Sequence, residues 1–261
     1  MPQRSSYAPG TPSWVDLGTP DVPGSTAFVS KLFGWTADTV TDEAGNHVYT
    51  MLSKGGQSVA GLSGPPPGAE KLPPFWSSYI SVADAAHTCA LIEKAGGTVI
   101  MPAMQVFESG SMAVAMDPNG AFFRIWQPIE HIGAGLVNEA DTYSWNELIT
   151  ADVDRAKQFY ADVFGWTYDG MDMGHGMYWV VQGSESGGLA GLMSRPPNMP
   201  AEAPDHWAVY FMVDDIQAKI DAVVSQGGVV LFGPEDIPGV GRIATVDHPA
   251  GGGFSLMQPP G

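Results

Sequence analysis

Cysteine is almost missing from this chain. Cys89 is the only one in 261 residues, which excludes an internal disulfide and any thiolate metal cluster and gives no sign of an oxidising compartment. It falls in an apolar helical pattern and reads as a small core residue. Positive charge is also scarce: 11 Lys and Arg stand against 28 Asp and Glu, for a formal charge of −17. A surface this acidic repels phosphate backbones and anionic headgroups over a Debye length. Neither nucleic acid nor membrane is expected as a partner. No stretch approaches the roughly 18 apolar residues needed to span a bilayer, and the opening MPQRSSYAPGTPSW lacks an apolar signal core. The sequence therefore predicts a soluble, cytoplasmic protein. Charged residues make up 15% of the chain and hydrophobic ones 44%, enough for a real core, while 33 Gly and 22 Pro supply turns and argue against a mainly helical fold.

The chain repeats itself. Sliding it by 131 residues lays Trp14-Val15-Asp16-Leu17 on Trp145-Asn146-Glu147-Leu148 and Phe33-Gly34-Trp35 on Phe164-Gly165-Trp166. At the same offset Trp76, Tyr79, Val82 and Asp84 meet Trp207, Tyr210, Val213 and Asp215. Gly96-Gly97 meets Gly227-Gly228, and Pro118, Gly120, Phe123, Gln127 and Pro128 meet Pro249, Gly251, Phe254, Gln258 and Pro259. So many matches at one offset indicate duplication. A fainter repeat inside each half divides the chain into modules 10–64, 72–128, 141–195 and 203–259. Pro65-Pro66-Pro67 and Pro196-Pro197 separate the modules within each half. The domains are expected at 1–130 and 141–261, with 131–140 as linker.

Each module opens on a short alternating strand such as Ser78-Tyr79-Ile80-Ser81-Val82. An Asp follows, placed to cap a helix: Asp21, Asp84, Asp152 and Asp215. The helix has apolar spacing, as at Ile216, Ile220, Val223 and Val224, and stops at glycine. About three β-rich runs close the module, for example Val229 to Phe232, Arg242 to Val246 and Gly253 to Met257. The order is strand, helix and three strands, four times over.

This tandem βαβββ pattern resembles the vicinal oxygen chelate superfamily of glyoxalase I, bleomycin-resistance proteins and extradiol dioxygenases, in particular its two-domain actinobacterial members. The likeness rests on Trp145-Asn146-Glu147-Leu148, on Arg155 to Tyr160 leading to Val163-Phe164-Gly165-Trp166, and on Asp117-Pro118-Asn119-Gly120 through Trp126-Gln127-Pro128. It implies an α+β fold in which four βαβββ modules pair into two domains, each a curved mixed sheet around a cavity with helices outside. It leaves function open, because one scaffold hosts many chemistries.

In metal-dependent members the ligands, usually His and Glu, come from the first and last strands of each module. Here the opening-strand positions are Trp14, Ser77, Trp145 and Ala208, and the closing-strand positions include Arg124 and Ser255. The runs Val59-Ala60-Gly61-Leu62 and Leu189-Ala190-Gly191-Leu192 offer no side-chain ligand. Such residues cannot bind a divalent ion, so neither metal nor other cofactor is expected. Glu147 and His206 could make half a metal site, without a third ligand at a familiar spacing. His248 reads as the turn residue matching Asp117, and His47, His87, His131 and His175 read as surface residues.

The same strand faces suggest binding surfaces. In the first half Trp14, Asp16, Ser77, Tyr79, Arg124 and Trp126 share one face by period-2 alternation. The second half offers Trp145, Glu147, His206, Tyr210, Ser255 and Met257, with Tyr178 from a neighbouring strand. Two readings follow. One is a protein of the bleomycin-resistance kind that binds an aromatic or hydrophobic metabolite or drug unchanged. The other is a metal-independent enzyme of secondary or aldehyde metabolism, an isomerase, cyclase or hydratase with Glu147 as general base and His206 or Tyr210 as acid. A metal-dependent lyase or dioxygenase is disfavoured by the residues. Four modules in one chain can complete both cavities internally, so a monomer or a homodimer is compatible.

Overall fold

The computed structural model describes residues 3–65, 73–174, 176–185, 187–197, 199–200 and 202–261. His175, Pro66 and Pro67 lie outside the described residues. The first half contains β1 (Pro12–Gly18), α1 (Val22–Phe33), β2 (Thr36–Thr41), β3 (His47–Lys54), β4 (Gln57–Ser63), β5 (Phe75–Ser81), α2 (Ala85–Lys94), β6 (Thr98–Val106), β7 (Gly110–Met116) and β8 (Phe122–Pro128). The second repeats it with β9 (Thr142–Thr150), α3 (Val153–Phe164), β10 (Thr167–Asp172), β11 (Met177–Gln182), β12 (Ala190–Ser194), β13 (His206–Met212), α4 (Ile216–Ser225), β14 (Val229–Ile237), β15 (Gly241–Asp247) and β16 (Phe254–Gln258).

Local chemistry sets the helix ends. Asp21, Asp84, Asp152 and Asp215 accept backbone N–H groups of Gly24, His87, Arg155 and Ala218 at 3.0, 2.9, 3.0 and 3.0 Å. Each bond satisfies a donor that the first helical turn leaves free. Helices α1 and α3 stop at Gly34 and Gly165, whose φ of 71° and 72° lies in the left-handed region that a Cβ disfavours.

The strands form two open, curled, mixed sheets in the orders β2-β3-β4-β1-β5-β8-β7-β6 and β10-β11-β12-β9-β13-β16-β15-β14. In each, the two modules join at an antiparallel pair, β1 with β5 and β9 with β13. Parallel neighbours flank that pair: β4 and β8 in the first sheet, β12 and β16 in the second.

Alternation gives each sheet two different faces. One carries Val15, Leu17, Ile80, Phe123 and Ile125 in the first sheet, and Leu148, Val209, Phe211, Phe254 and Leu256 in the second, all buried. Helices cover this face, and they cross between halves. Phe33 at the end of α1 packs its ring 5.1 Å from Phe211 and 5.9 Å from Phe254 of the second half. Reciprocally, Phe159 and Tyr160 of α3 lie 6.0 and 5.6 Å from Phe123 of the first. Each large side chain buried this way contributes roughly 1.5–3 kcal/mol, so neither half owns its core alone.

The segment between the halves is also packed down. Ala134 N–H donates to Ser13 and Gly135 N–H to Ser58, both at 2.8 Å, and Tyr7 donates its hydroxyl to the Ala134 carbonyl at 2.7 Å. No helix among the described residues is long and apolar enough to cross a membrane.

Candidate functional site

The opposite sheet face holds the chemistry, and the register explains why. In the first sheet Asp16 on β1 lies opposite Ser77 and Gly61, Trp14 lies opposite Tyr79, and Tyr79 on β5 lies beside Arg124 on β8. In the second, Glu147 on β9 lies between Ala208 and Gly191, Trp145 faces Tyr210, and Tyr210 on β13 lies beside Ser255 on β16. Tyr79 and Tyr210, like Asp16 and Glu147, are counterparts across the repeat.

Around each carboxylate the hydroxyls and the indole form one chain of hydrogen bonds. Tyr79 donates to Asp16 at 2.6 Å, Tyr49 of β3 donates to the same oxygen at 3.4 Å, and Trp14 donates its Nε1–H to Tyr49 at 2.9 Å. Tyr210 donates to Glu147 at 2.8 Å, Tyr178 bonds the same carboxyl, and Trp145 donates its Nε1–H to Tyr178 at 3.0 Å. Gly61 and Gly191 make room for this. A Cβ on either would fall 1.9 Å from the hydroxyl of Tyr49 or Tyr178.

The two faces differ at one position. Arg124 donates from Nη1 to both oxygens of Asp16, at 3.1 and 3.0 Å, and also to the Tyr79 hydroxyl. Asp16 is thus a buried carboxylate with a buried cation against it, their side chains 1% and 13% exposed. Burial works against the Arg124 charge, but Asp16 and Tyr79 carry its pKa above the usual guanidinium value. In the second face the corresponding residue, Ser255, bonds the Tyr210 hydroxyl and lies 3.0 Å from the hydroxyl of Thr245. Burial raises the Glu147 carboxyl above its ordinary range, and the bonds from Tyr210 and Tyr178 only partly offset that.

The structure brings Trp14, Asp16, Ser77, Tyr79, Arg124 and Trp126 to one face, and Trp145, Glu147, Tyr178, Tyr210, Ser255 and Met257 to the other. The Ser77 hydroxyl is buried without a partner. His206 shares its strand face with Tyr210 but sits opposite Ile149, two residues beyond Ala208, and its Nδ1 lies 3.0 Å from the Pro204 carbonyl. It is not hydrogen-bonded to Glu147; of the two candidate acids, Tyr210 is the one bonded to that carboxyl.

Two residues went unread in the sequence. Tyr49 follows a different offset, because Tyr178 comes 129 rather than 131 residues later. The glycine beneath each hydroxyl was the available signal. His131 was expected on the surface. Instead its ring sets edge-on to Trp14 at 4.6 Å and to Trp126 at 5.8 Å, its Nε2 is buried without a partner, and Trp126 donates to its carbonyl at 2.7 Å. Burial pushes its imidazole pKa down to about 4. His248 takes the turn position of Asp117, its Nδ1 accepting the Ala250 N–H at 2.9 Å as Asp117 accepts that of Asn119 at 2.9 Å.

Paired βαβββ modules in two curled sheets, with a polar cluster on the face away from the helices, define a vicinal oxygen chelate protein. The chain belongs to the glyoxalase/bleomycin resistance protein/dioxygenase superfamily, whose pattern matches residues 11–125 and 133–254. Among its relatives is a Mycobacterium tuberculosis protein named "Putative glyoxylase CFP32", 42% identical over 99% of this chain and 98% of that one. The anthracycline biosynthesis protein DauV of Streptomyces sp. strain C5 is 35% identical over 97% of this chain and 94% of its own length. The crystal structure of the 2,3-dioxygenase LapB from Pseudomonas sp. KL28 shares the fold, with a TM-score of 0.65 at 14% identity over 98% of this chain and 94% of that one.

A divalent ion, which metal-dependent members of the superfamily hold, does not fit the donors present. One carboxylate, two tyrosines and an arginine or serine stand where a cluster of His and carboxylates is needed. Among the described residues no three His, Cys, Asp or Glu side chains converge.

Proposed function

We propose that this protein binds a planar aromatic or hydrophobic small molecule on the concave faces of its sheets, and does so without a catalytic metal. The observation that carries this reading is the construction of those faces. Trp14 and Trp126 share the first face with the Asp16 carboxylate and its partner Tyr79, and Trp145 and Met257 share the second with the Glu147 carboxyl and its partner Tyr210. Apolar and aromatic walls with a few fixed polar groups suit a flat ligand with polar edges. The names of the relatives support the same class. Proteins of anthracycline biosynthesis act in a route to flat, fused-ring molecules, and DauV is one of two such relatives at 35% identity. The reading is of a soluble cytoplasmic protein, a monomer or homodimer, with no nucleic acid or membrane partner, in keeping with its net charge of −17.

A second reading rests on Glu147. A buried carboxyl raised in pKa, bonded to Tyr210 and free of a neighbouring cation among the described residues, has the properties of a general acid–base group. On that reading the protein is a metal-independent isomerase, cyclase or hydratase.

Calorimetric titration of the purified protein with 1,4-dihydroxyanthraquinone, repeated in EDTA, tests the first reading. Chelator-resistant binding with complete recovery of the probe is expected. Absence of binding, or stoichiometric Ni, Zn, Fe or Mn in protein prepared without chelator, would overturn it. Clean conversion of a related ligand would move the assignment to the enzyme.

A further inference from the structure

The two faces descend from one duplicated design, yet only one of them is left open by its own side chains. In the first, Trp14 and Trp126 are 3% and 5% exposed. His131, from the segment between the halves, lies against both rings, and the Arg124–Asp16 pair fills the floor with opposite charges already matched. Every hydrogen-bonding group of Asp16 that a ligand would seek is engaged by Arg124, Tyr79 or Tyr49. A ligand entering there would have to displace an ion pair that the protein has already desolvated.

In the second face each of these features is replaced by something smaller or more open. Met257 stands where the first face has Trp126, and Ser255 where it has Arg124. Trp145 and Met257 are partly exposed, where their counterparts Trp14 and Trp126 are buried. Among the described residues no aromatic ring stacks on Trp145. The floor of this face holds, among the described residues, Glu147 with Tyr210 and Tyr178, and no Lys or Arg side chain. A methionine adapts its shape to a flat ligand more readily than an indole does.

We infer that the second-domain face alone is the ligand site, that it takes an uncharged planar molecule whose edge carries a carbonyl or phenol oxygen, and that Glu147 and Tyr178 meet that oxygen. The first-domain face is then a filled copy that serves the fold. The inference rests on the small-molecule reading above and narrows it to one face and one charge class. Among the described residues an anionic ligand finds no Lys or Arg beside Glu147. The titratable side chains bonded to Glu147 are Tyr210 from β13 and Tyr178 from β11, both held protonated by burial, while His206 lies on the same face of β13 two residues beyond Ala208 without a bond to Glu147. The Glu147 carboxyl, bonded to Tyr210 and without a Lys or Arg beside it among the described residues, suits the edge of an uncharged ligand better than an anionic one.

The test converts one face into the other. Ser255→Arg supplies the second face with the guanidinium of the first, and Met257→Trp supplies its filling indole. Titration with 1,4-dihydroxyanthraquinone should give one site per chain in the wild type. Either substitution should weaken binding at least tenfold with the circular dichroism spectrum retained, and Met257→Trp stands alone should Ser255→Arg not fold. His131→Ala, which unroofs the first face, should leave affinity within twofold. A sulfonated dihydroxyanthraquinone should bind at least tenfold more weakly. Two sites per chain, or loss of binding in His131→Ala with Met257→Trp unaffected, would overturn the one-face inference while leaving the small-molecule reading intact. Equal binding of the sulfonated probe would overturn the charge class. No binding by the wild type would overturn both.

Discussion

Arg124 and Asp16 stand 108 residues apart in sequence and meet across β8 and β1, the guanidinium reaching both carboxylate oxygens at 3.1 and 3.0 Å. Their counterparts, Ser255 and Glu147, carry no such pair. One duplication has produced a neutralised carboxylate in one half and a solitary carboxyl in the other.

Removing Arg124 alone leaves Asp16 buried with a charge and no cation. Arg124→Met is therefore expected to destabilise the fold by roughly 3–5 kcal/mol, because a buried ion loses its partner while its desolvation remains. Arg124→Met with Asp16→Asn should recover much of that loss, since the charge itself is gone. Equilibrium urea denaturation of the three variants measures it. An Arg124→Met midpoint close to wild type would mean that the pair is not desolvated in solution.

Glu147 gives a pH dependence of a definite sign. Its folded pKa is raised by burial above the ordinary value of 4.5. Between those two values the folded chain holds a proton that the unfolded chain has released, so stability falls as pH rises through that window. Glu147→Gln cannot ionise and should lack this decline. Unfolding midpoints of the two proteins from pH 4 to 8 should diverge, with the variant gaining on the wild type as pH increases. Parallel curves would mean that Glu147 titrates normally.

The sequence announced the parts of this fold that are decided locally. Asp21, Asp84, Asp152 and Asp215 can be recognised as caps because a carboxylate before an apolar helical run has one nearby use. Gly34 and Gly165 mark helix ends for the same reason. Alternation placed Trp14, Asp16, Tyr79 and Arg124 on one face, since strand geometry has a period of two. Tyr49 escaped because unequal hairpin lengths shift its offset from Tyr178. His131 escaped because its burial depends on Trp14 and Trp126, which reach it from distant strands. The crossing of α1 onto Phe211 and of α3 onto Phe123 is a choice among packings of equally apolar faces, which residue pattern alone does not distinguish.

His131 has the opposite pH signature from Glu147. Burial lowers its pKa from 6.5 to about 4. From pH 6.5 down toward 4 the unfolded chain takes up a proton that the folded chain refuses, so stability present above pH 6.5 is lost as the solution is acidified. The loss attributable to this one ring is on the order of 1–3 kcal/mol, allowing for its partial exposure. His131→Phe, which keeps an aromatic ring between Trp14 and Trp126 but does not titrate, should be the more acid-resistant protein. Thermal unfolding at pH 7 and pH 4.5 compares them directly. An equal shift in both proteins would assign the acid sensitivity elsewhere.

Gly191 is a requirement of the Glu147 cluster rather than of the strand that carries it. A Cβ there would fall 1.9 Å from the Tyr178 hydroxyl and 3.0 Å from Trp145 Nε1, so Gly191→Ala must push Tyr178 away from Glu147. The strand itself would tolerate alanine. The cost should therefore depend on Tyr178: about 1–3 kcal/mol in the wild-type background and close to nothing in Tyr178→Ala, which removes the obstructing ring. A double-mutant cycle by urea denaturation reads this coupling, and the near-ultraviolet circular dichroism of Gly191→Ala should change as Trp145 loses its hydrogen-bond acceptor. Additive costs in the cycle would show that the glycine serves the strand rather than the tyrosine.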